Sequence, residues 1–409
     1  MRPSGEDTAP TPYASRMIPR LTQIQDHLRQ LKIDAWLVHD FRGNNAVLAQ
    51  LLPGRRWTTR RCCLLVPAEG SARIAAHFID KDQFHGTGIQ PDIYLSWPEY
   101  RAWLANSFEG KSRIAMEYSP GAMLPVVSVV DAGAVELVRS LGVEVVSSAD
   151  LIQTAVAVWS PEATQSHAVA SEKVGRVKDE AFAFIREKIA VGGETNELEV
   201  QKLILKRFAE EGLETLDAPI VGANANSGNP HFEVSQTSPA PIKKGDWVLI
   251  DLWARLPGDA NVFSDITWVG YCGKEVPARH RQVFEAVKAG RDAAVTFLQS
   301  AWKHEQRVQG WQADEACRQA IIAKDLGQFI RHRTGHSLSA GPKVHGVGVN
   351  IDNLETHDSR LILPGVGWTI EPGLYLPEFG CRLEINMHCD PERGPVVTSG
   401  IQRDVLLLA

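Results

Sequence analysis

The chain has 409 residues, 44% of them hydrophobic and 22% charged, a composition that excludes a fibre or a disordered polymer. A chain of this length exceeds what one ordinary hydrophobic core can organise, so we expect two domains. The formal net charge of -6 leaves no basic excess to hold a phosphate backbone, which argues against nucleic acid as a partner. The six cysteines form no CxxC pair, so we expect reduced thiols and no structural zinc.

The N-terminal end of the chain carries no sign of a targeting sequence. Residues 1–16 are polar and rich in proline, serine and threonine, and they lack the apolar core of a secretory signal. We predict that they form a flexible tail. No apolar run elsewhere approaches the roughly 20 residues that span a bilayer. The sequence therefore predicts a cytoplasmic protein that does not bind a membrane.

Short apolar runs alternate with helical patterns over residues 17–159. Leu21, Ile24, Leu28 and Leu31 share one face of an amphipathic helix because they lie three or four residues apart. A second helix is predicted at residues 133–141, and strands are predicted at residues 35–38, 62–66, 73–78, 114–118 and 143–146. This alternation predicts an α/β domain, in which scattered histidines show no metal-ligand spacing.

A second domain is predicted to begin just after Trp159. Ser160 is a good N-cap and Pro161 suits the first helical position, so we expect a helix that runs to about Ile189. After a glycine break, Thr195 is predicted to start another helix. Later helices are predicted at residues 277–302 and 312–323, and a sheet is predicted to begin at residues 218–221.

Two aspartates stand within runs of strand-forming residues. Asp251 lies in the run Trp247 to Trp253, and Asp265 lies in the run Val262 to Trp268. An unpaired charge inside a buried strand is very costly, so a cation between the two strands would explain both. The alternative is that both aspartates lie at strand ends and meet solvent, which is the commoner arrangement for acidic residues.

Three further candidate ligands follow in the C-terminal part of the chain. His336 stands in RTGHSL, Glu371 in TIEPGLY and Glu384 in CRLEIN. Taken singly each is weak evidence, because a glutamate before Pro-Gly is commonly a turn residue and a histidine after glycine commonly a loop group. Four carboxylates and one imidazole form a mostly hard-oxygen set suited to two divalent ions, with Mn²⁺ expected and Co²⁺ or Zn²⁺ as substitutes.

The order and context of these five residues resemble the pita-bread metallopeptidases, which include methionine aminopeptidase, aminopeptidase P and prolidase. The shared contexts are Leu-Ile-Asp, Ser-Asp-Ile-Thr, Gly-His, Ile-Glu-Pro-Gly and Arg-x-Glu. Residues 17–159 resemble, more loosely, the creatinase-type N-terminal domain of the proline-directed branch. The resemblance implies an α/β creatinase-like N-terminal domain followed by an α+β pita-bread catalytic domain at residues 160–409.

The resemblance also implies a role for each site residue. The implied metal ligands, of which the second and the last bridge the two ions, are Asp251, Asp265, His336, Glu371 and Glu384. Glu371 is further implied to carry a proton to the leaving nitrogen, while His231 and His345 hold the substrate carbonyl. His332 and Arg382 are implied to orient ligand carboxylates from behind. The alternative for these last four residues is a satisfied histidine or a surface arginine.

Three features depart from the family pattern. Asp251 and Asp265 stand fourteen residues apart, further than is usual, and we assign the extra residues to the turn at 256–259. His336 and His345 stand nine residues apart, which is also further than usual. Val262 occupies a position where many relatives have a tyrosine.

The resemblance implies hydrolysis of the peptide bond between an N-terminal residue and proline. A compact N-terminal domain favours an Xaa-Pro dipeptidase (prolidase), with an Xaa-Pro aminopeptidase acting on longer peptides as the alternative. A homodimer is expected, because in relatives this domain packs against a neighbouring subunit. Two other classes share the scaffold, namely metal-free creatinase-type amidinohydrolases and non-catalytic binding proteins, but both tend to lose the metal carboxylates that this chain keeps.

Overall fold

The structure, a computed structural model, describes residues 20–52 and 57–409. The chain divides into two compact units, of which the first ends at Val156 and the second spans Ala157–Ala409. The tail predicted at residues 1–16 lies outside the described residues. Within the described ranges, no helix is both long enough and apolar enough to cross a membrane.

The first unit is built on a six-stranded mixed sheet of order β4-β3-β2-β1-β5-β6. Its strands are β1 Ala35–Phe41, β2 Arg61–Pro67, β3 Arg73–His77, β4 Asp92–Tyr94, β5 Arg113–Met116 and β6 Glu144–Ser147. Its helices are α1 Leu21–Gln30, α2 Ala46–Leu51, α3 Trp97–Ser107, α4 Ala132–Arg139 and α5 Ala149–Ile152. Helices α3 and α4 pack their apolar sides on one face of the sheet, so the α/β prediction for this part of the chain is confirmed.

A buried carboxylate ties three elements of the first unit together. Glu117, which follows β5, is fully buried and accepts hydrogen bonds from Trp36 Nε1 at 2.6 Å and Asn45 Nδ2 at 2.7 Å. Ser148 Oγ donates a third at 3.2 Å. Burial raises the pKa of Glu117 to about 7 although all three donors favour the ionised form.

This shifted pKa predicts how the stability of the first unit depends on pH. The folded state holds the Glu117 proton more tightly than the unfolded chain, whose pKa is near 4.5. The stabilisation is therefore present below pH 4.5 and is lost as the pH rises through about 7, with a change on the order of 3 kcal/mol. Glu117→Gln should flatten this part of the pH profile of the urea midpoint, followed by tryptophan fluorescence. Glu144→Gln, at a side chain that is 61% exposed, is the control that should not.

The second unit holds two four-stranded sheets and two smaller pairs of strands. Its strands are β7 Thr195–Asn196, β8 Ile220–Ala223, β9 Pro241–Ile242, β10 Trp247–Ala254, β11 Ser264–Tyr271, β12 Ser337–Leu338, β13 Gly367–Ile370, β14 Gly373–Tyr375, β15 Gly380–Arg382, β16 Ile385–Asp390, β17 Gly394–Val397 and β18 Leu406–Leu407. Its helices are α6 Pro161–Ala190, α7 Glu197–Glu210, α8 Ala278–Lys303 and α9 Gly310–Ile322. The two sheets have the orders β18-β11-β10-β8 and β12-β13-β16-β17.

Capping side chains set the first residues of helices α6 and α7. Ser160 Oγ accepts a hydrogen bond from Ala163 N at 3.1 Å, so α6 starts at Pro161 as predicted. The predicted start of the next helix at Thr195 is wrong. Thr195 pairs with Ile242 in a short strand, and Asn196 is the residue whose side chain caps α7.

The alternation of side chains along β10 decides what each face of its sheet meets. Val248, Ile250 and Leu252 pack into the core formed with α6 and α7. Trp247 and Leu249 point the other way, into the core formed with α8, α9 and the C-terminal strands. Because side chains two residues apart share a face, Asp251 faces this second core.

Candidate metal centre

The β10–β11 hairpin brings both aspartates to one face of the sheet. The antiparallel register sets Asp251 opposite Thr267 and Trp253 opposite Asp265. Residues opposite each other, and residues two apart on one strand, point to the same side, so Asp251, Asp265 and Thr267 do so here. Asp251 is only 7% exposed and Asp265 only 5%, so the alternative that both aspartates meet solvent at strand ends is wrong.

The remaining candidate ligands come from loops beside the second sheet. His336 precedes β12, Glu371 follows β13, and Thr369 joins them because its hydroxyl accepts from His336 N at 3.0 Å and donates to Glu371 Oε1 at 3.1 Å. Gly335 makes this approach sterically feasible, since a Cβ at that position would lie 2.0 Å from the carbonyl oxygen of Thr369. Glu384 N donates to Thr267 O at 3.1 Å, which places this glutamate beside the aspartate hairpin.

These side chains form a compact cluster. The ligand atoms of Asp265, His336 and Glu384 all lie within 4.8 Å of one another. His336 Nε2 is 3.4 Å from Asp265 Oδ2 and 3.5 Å from Glu371 Oε1. His336 Nδ1 lies 3.0 Å from the carbonyl oxygen of Ser337, so donation there would leave Nε2 as the ligand atom.

Asp251 occupies the far side of the cluster. Its Oδ2 accepts a hydrogen bond from Arg382 Nη2. Its Oδ1 is buried and, among the described residues, has no hydrogen-bond partner. A buried carboxylate oxygen without a donor is expensive, and a cation would satisfy it.

The raised pKa values of two carboxylates indicate that the cluster lacks compensating positive charge. Burial raises the pKa of Asp251 to about 7, with Asp265 and Glu371 adding to the effect and Arg382 opposing it. Burial, together with the charges of Asp265 and Glu371, also holds the pKa of Glu384 well above its usual range. Bound divalent ions would reverse both shifts, because they favour the ionised carboxylates. The donor set therefore fits two such ions.

A second layer of hydrogen bonds holds the ligands in place. Arg382 Nε donates to Thr267 Oγ1 at 3.0 Å, and Thr267 Oγ1 donates to Glu384 Oε2 at 2.7 Å. Asp265 N donates to Asn386 Oδ1 at 3.0 Å. The arginine and the threonine thus fix one aspartate and one glutamate together.

Tyr375 connects His332 to this layer. Arg382 Nη1 donates to Tyr375 Oη at 2.9 Å, and His332 Nε2 lies 2.7 Å from the same oxygen. His332 thus acts on Asp251 through two intervening side chains rather than directly on a carboxylate. Sequence reasoning missed Tyr375, Thr267, Thr369 and Asn386. The sequence contains one signal for the two threonines. Thr267 lies two residues after Asp265 and Thr369 lies two residues before Glu371, and residues two apart on a strand share a face.

The two histidines assigned to the substrate lie differently. The imidazole centroid of His345 is 4.0 Å from that of His336, at an interplanar angle of 44°. A protonated His336, together with burial, lowers the pKa of His345 to about 3. With His336 bound to a metal ion through Nε2, burial would still lower the pKa of His345. His231 is exposed, and its backbone N–H donates to Asn229 Oδ1 at 3.1 Å. The structure brings His345 against the cluster and leaves His231 at the surface.

The fold and the cluster define a protein built to hold metal ions between two sheets. The model of metallopeptidase family M24 matches residues 166–391, and the chain belongs to that family. The putative dipeptidase YkvY of Bacillus subtilis is 29% identical over 215 residues, which cover 52% of this chain and 54% of that protein. The chain's match thus spans about half the length of such curated relatives.

Solved structures share the fold over nearly the whole chain. Dipeptidase PepE from Mycobacterium ulcerans has a TM-score of 0.72 at 21% identity, covering 95% of this chain and 97% of that one. The X-prolyl aminopeptidase from Caenorhabditis elegans, described as a cytosolic enzyme with a di-nuclear active site, has a TM-score of 0.65 at 16% identity. That match covers 94% of this chain and 62% of that chain. The predicted pita-bread fold is confirmed.

Removing a clustered carboxylate should abolish metal binding. Asp265→Asn and Glu384→Gln each delete one anionic ligand from the group around His336, and we expect stoichiometric Mn²⁺ binding to be lost while the circular dichroism spectrum is kept. Elemental analysis after dialysis measures the ions held per chain. Asp179→Asn, at a side chain that is 71% exposed on α6, should retain the wild-type metal content. Full metal content in both cluster variants would show that the site lies elsewhere.

Proposed function

We propose that this chain is a dinuclear metallopeptidase that hydrolyses the peptide bond between an N-terminal residue and proline. The observation that carries the proposal is the buried cluster of Asp251, Asp265, His336, Glu371 and Glu384, in which one aspartate oxygen has no hydrogen-bond partner among the described residues. Membership of family M24 supports the reaction class. A metal-free amidinohydrolase or a binding protein would not need this set of buried carboxylates.

The metal ions and the protein residues divide the chemistry. Two divalent ions, for which we propose Mn²⁺, supply Lewis-acid activation of water and of the substrate carbonyl when bound. His345 is proposed to donate a hydrogen bond to the carbonyl oxygen as charge develops there, and its contact with His336 supports this role. His231 is proposed as a second donor that reaches the substrate from the surface.

Glu371 is the proposed proton carrier. Burial alone would raise its pKa, but the charges of a protonated His336, His332 and Arg382 outweigh burial and hold the pKa below the usual value. Divalent ions, when bound through His336, would favour the ionised carboxylate in place of the His336 proton. Its carboxylate is therefore ionised at neutral pH and can accept a proton before passing it to the leaving nitrogen. Thr369 Oγ1, 3.1 Å from Glu371 Oε1, fixes the orientation of the carboxylate.

We infer an Xaa-Pro dipeptidase (prolidase) rather than an aminopeptidase acting on longer peptides. The preference rests on the compact N-terminal domain, since the names of similar proteins divide between dipeptidases and Xaa-Pro aminopeptidases. We also propose a cytoplasmic homodimer, on the basis of the creatinase-like sequence of residues 17–159. Light scattering coupled to size exclusion measures the assembly, and a monomer at micromolar concentration would refute it.

The substrate test compares peptides that differ by one residue. Mn²⁺-loaded protein should hydrolyse Ala-Pro faster than Ala-Pro-Ala and leave Ala-Ala intact, as followed by release of free alanine. Turnover of the tripeptide alone would favour the aminopeptidase interpretation instead.

Asp265→Ala and Glu384→Ala should each abolish turnover in a folded dimer. Undiminished activity in either variant would contradict the proposed site.

His345→Ala tests the proposed carbonyl donor separately from metal binding. Loss of one preorganised donor should lower kcat by about 10²–10³-fold with metal content unchanged. His304→Ala removes an exposed imidazole at the end of α8 and is the matched control, for which wild-type kcat is expected. A His345→Ala enzyme with wild-type kcat would remove this histidine from the mechanism.

A further inference from the structure

The two segments that are longer than usual in this chain meet at one buried arginine. The first is the hairpin loop at residues 255–263, between β10 and β11. The second, at residues 339–346, follows β12 and carries His345. Arg255, the residue directly after β10, is 2% exposed and lies between the two segments.

The guanidinium of Arg255 contacts both segments. Its Nη1 donates to the carbonyl oxygen of Gly341 in the second segment. Its Nη2 lies 2.8 Å from Asp259 Oδ1 in the hairpin loop, and its Nε donates to Glu214 Oε1 at 2.9 Å. Glu214 Oε1 also accepts from Gly258 N at 3.1 Å. The carboxylates of Asp259 and Glu214 balance the buried charge of Arg255 and fix its guanidinium beside the hairpin loop. From this position the guanidinium donates to the carbonyl oxygen of Gly341 in the second segment.

Residues 340–345 have few other hydrogen bonds. Of the contacts among described residues, one hydrogen bond reaches the backbone of this stretch, and Arg255 donates it. Beyond it, Gly346 N donates to Ser337 O at 2.7 Å and Gly348 N donates to Ser337 Oγ at 3.0 Å, so the chain is anchored again. His345 therefore lies at the end of a stretch that Arg255 holds at one side and Ser337 at the other.

The apolar contacts of the second segment also lead to the hairpin. Ala340 and Val344 are partly buried against a small cluster that contains Trp159, Leu338 and Val262. Val262, where many relatives have a tyrosine, is fully buried at the end of the hairpin loop. The hairpin thus supports the segment both through Arg255 and through Val262.

We propose that Arg255 is a positioning residue that sets the location of His345 through the 340–345 segment. This rests on the proposed function insofar as His345 is taken to contact the substrate. A segment with so few anchors samples several positions when one is removed, and a misplacement of about 1 Å in a substrate-contacting group costs about 10²-fold in rate. The hairpin loop at residues 255–263 thus stabilises the position of the segment at residues 339–346, which carries His345.

The test uses Arg255→Met, Arg255→Lys and a matched control in the Mn²⁺-loaded full chain. Arg291→Met is the control, because Arg291 is 1% exposed, donates to Gln402 O at 2.7 Å and pairs with Asp292 at 2.8 Å, away from both segments. Three quantities are measured: bound Mn²⁺, amide hydrogen exchange of residues 339–346, and kcat and KM on the peptide that the wild type hydrolyses.

We expect Arg255→Met to keep its metal, to exchange at least about tenfold faster over 339–346 and to lose about 10–100-fold in kcat with a smaller change in KM. Arg255→Lys should recover part of both losses, because an ammonium group can still donate to Gly341 O. Arg291→Met should lower stability without changing either readout. Unchanged exchange over 339–346 in Arg255→Met, or equal effects in Arg291→Met, would overturn the proposal.

A folding failure or a wrong reaction assignment leaves the proposal testable. If Arg255→Met does not fold, Asp259→Asn removes one partner whose side chain is 71% exposed, and a smaller rise in exchange at 339–346 is expected. Wild-type exchange over 339–346 in Asp259→Asn would then refute the anchoring role. If the wild type hydrolyses no Xaa-Pro peptide, the exchange data still decide whether Arg255 holds the segment, because hydrogen exchange does not depend on turnover.

Discussion

The second unit is organised by the need to keep four carboxylates and an imidazole together away from water. Mutual repulsion and burial both oppose ionisation of Asp251 and Glu384, as their raised pKa values show. Arg382 supplies one buried positive charge, and it reaches only one oxygen of Asp251. The remaining negative charge needs cations, so the fold is suited to the metal-loaded state and is strained electrostatically without it.

Strand pairing and a close backbone contact fix the positions of these side chains. The β10–β11 register fixes the two aspartates relative to each other, since a slip of one residue would turn one of them toward α6 and α7 and away from the other. On the other side, Gly335 allows the chain before His336 to touch the carbonyl of Thr369, and Thr369 then orients Glu371. The ligand positions thus follow from strand pairing and one close approach rather than from flexible side chains.

Local sequence singles out the five candidate ligands that the structure brings together, but it does not reveal the residues that support them. Asp251 and Asp265 stand out because a charge inside a strand-forming run is anomalous, and the other three ligands occur in short, specific contexts. Tyr375 carries no such mark, since its role depends on Arg382 and His332, and His332 lies 43 residues away. The helix predicted from Thr195 is present as α7, but it begins at Glu197, because Thr195 pairs with Ile242, which lies far along the chain, and Asn196 is the capping residue.

The three departures from the family pattern lie close to one another in the structure. The longer hairpin loop, the longer segment before His345 and the apolar Val262 all meet around Arg255 and Trp159. A tyrosine at position 262 would place a phenol in the apolar cluster against which Ala340 and Val344 pack. This region meets the metal cluster where the ring of His345 lies against that of His336, and none of the five candidate ligands belongs to it, so variation there can alter the position of His345 while the candidate ligands stay the same.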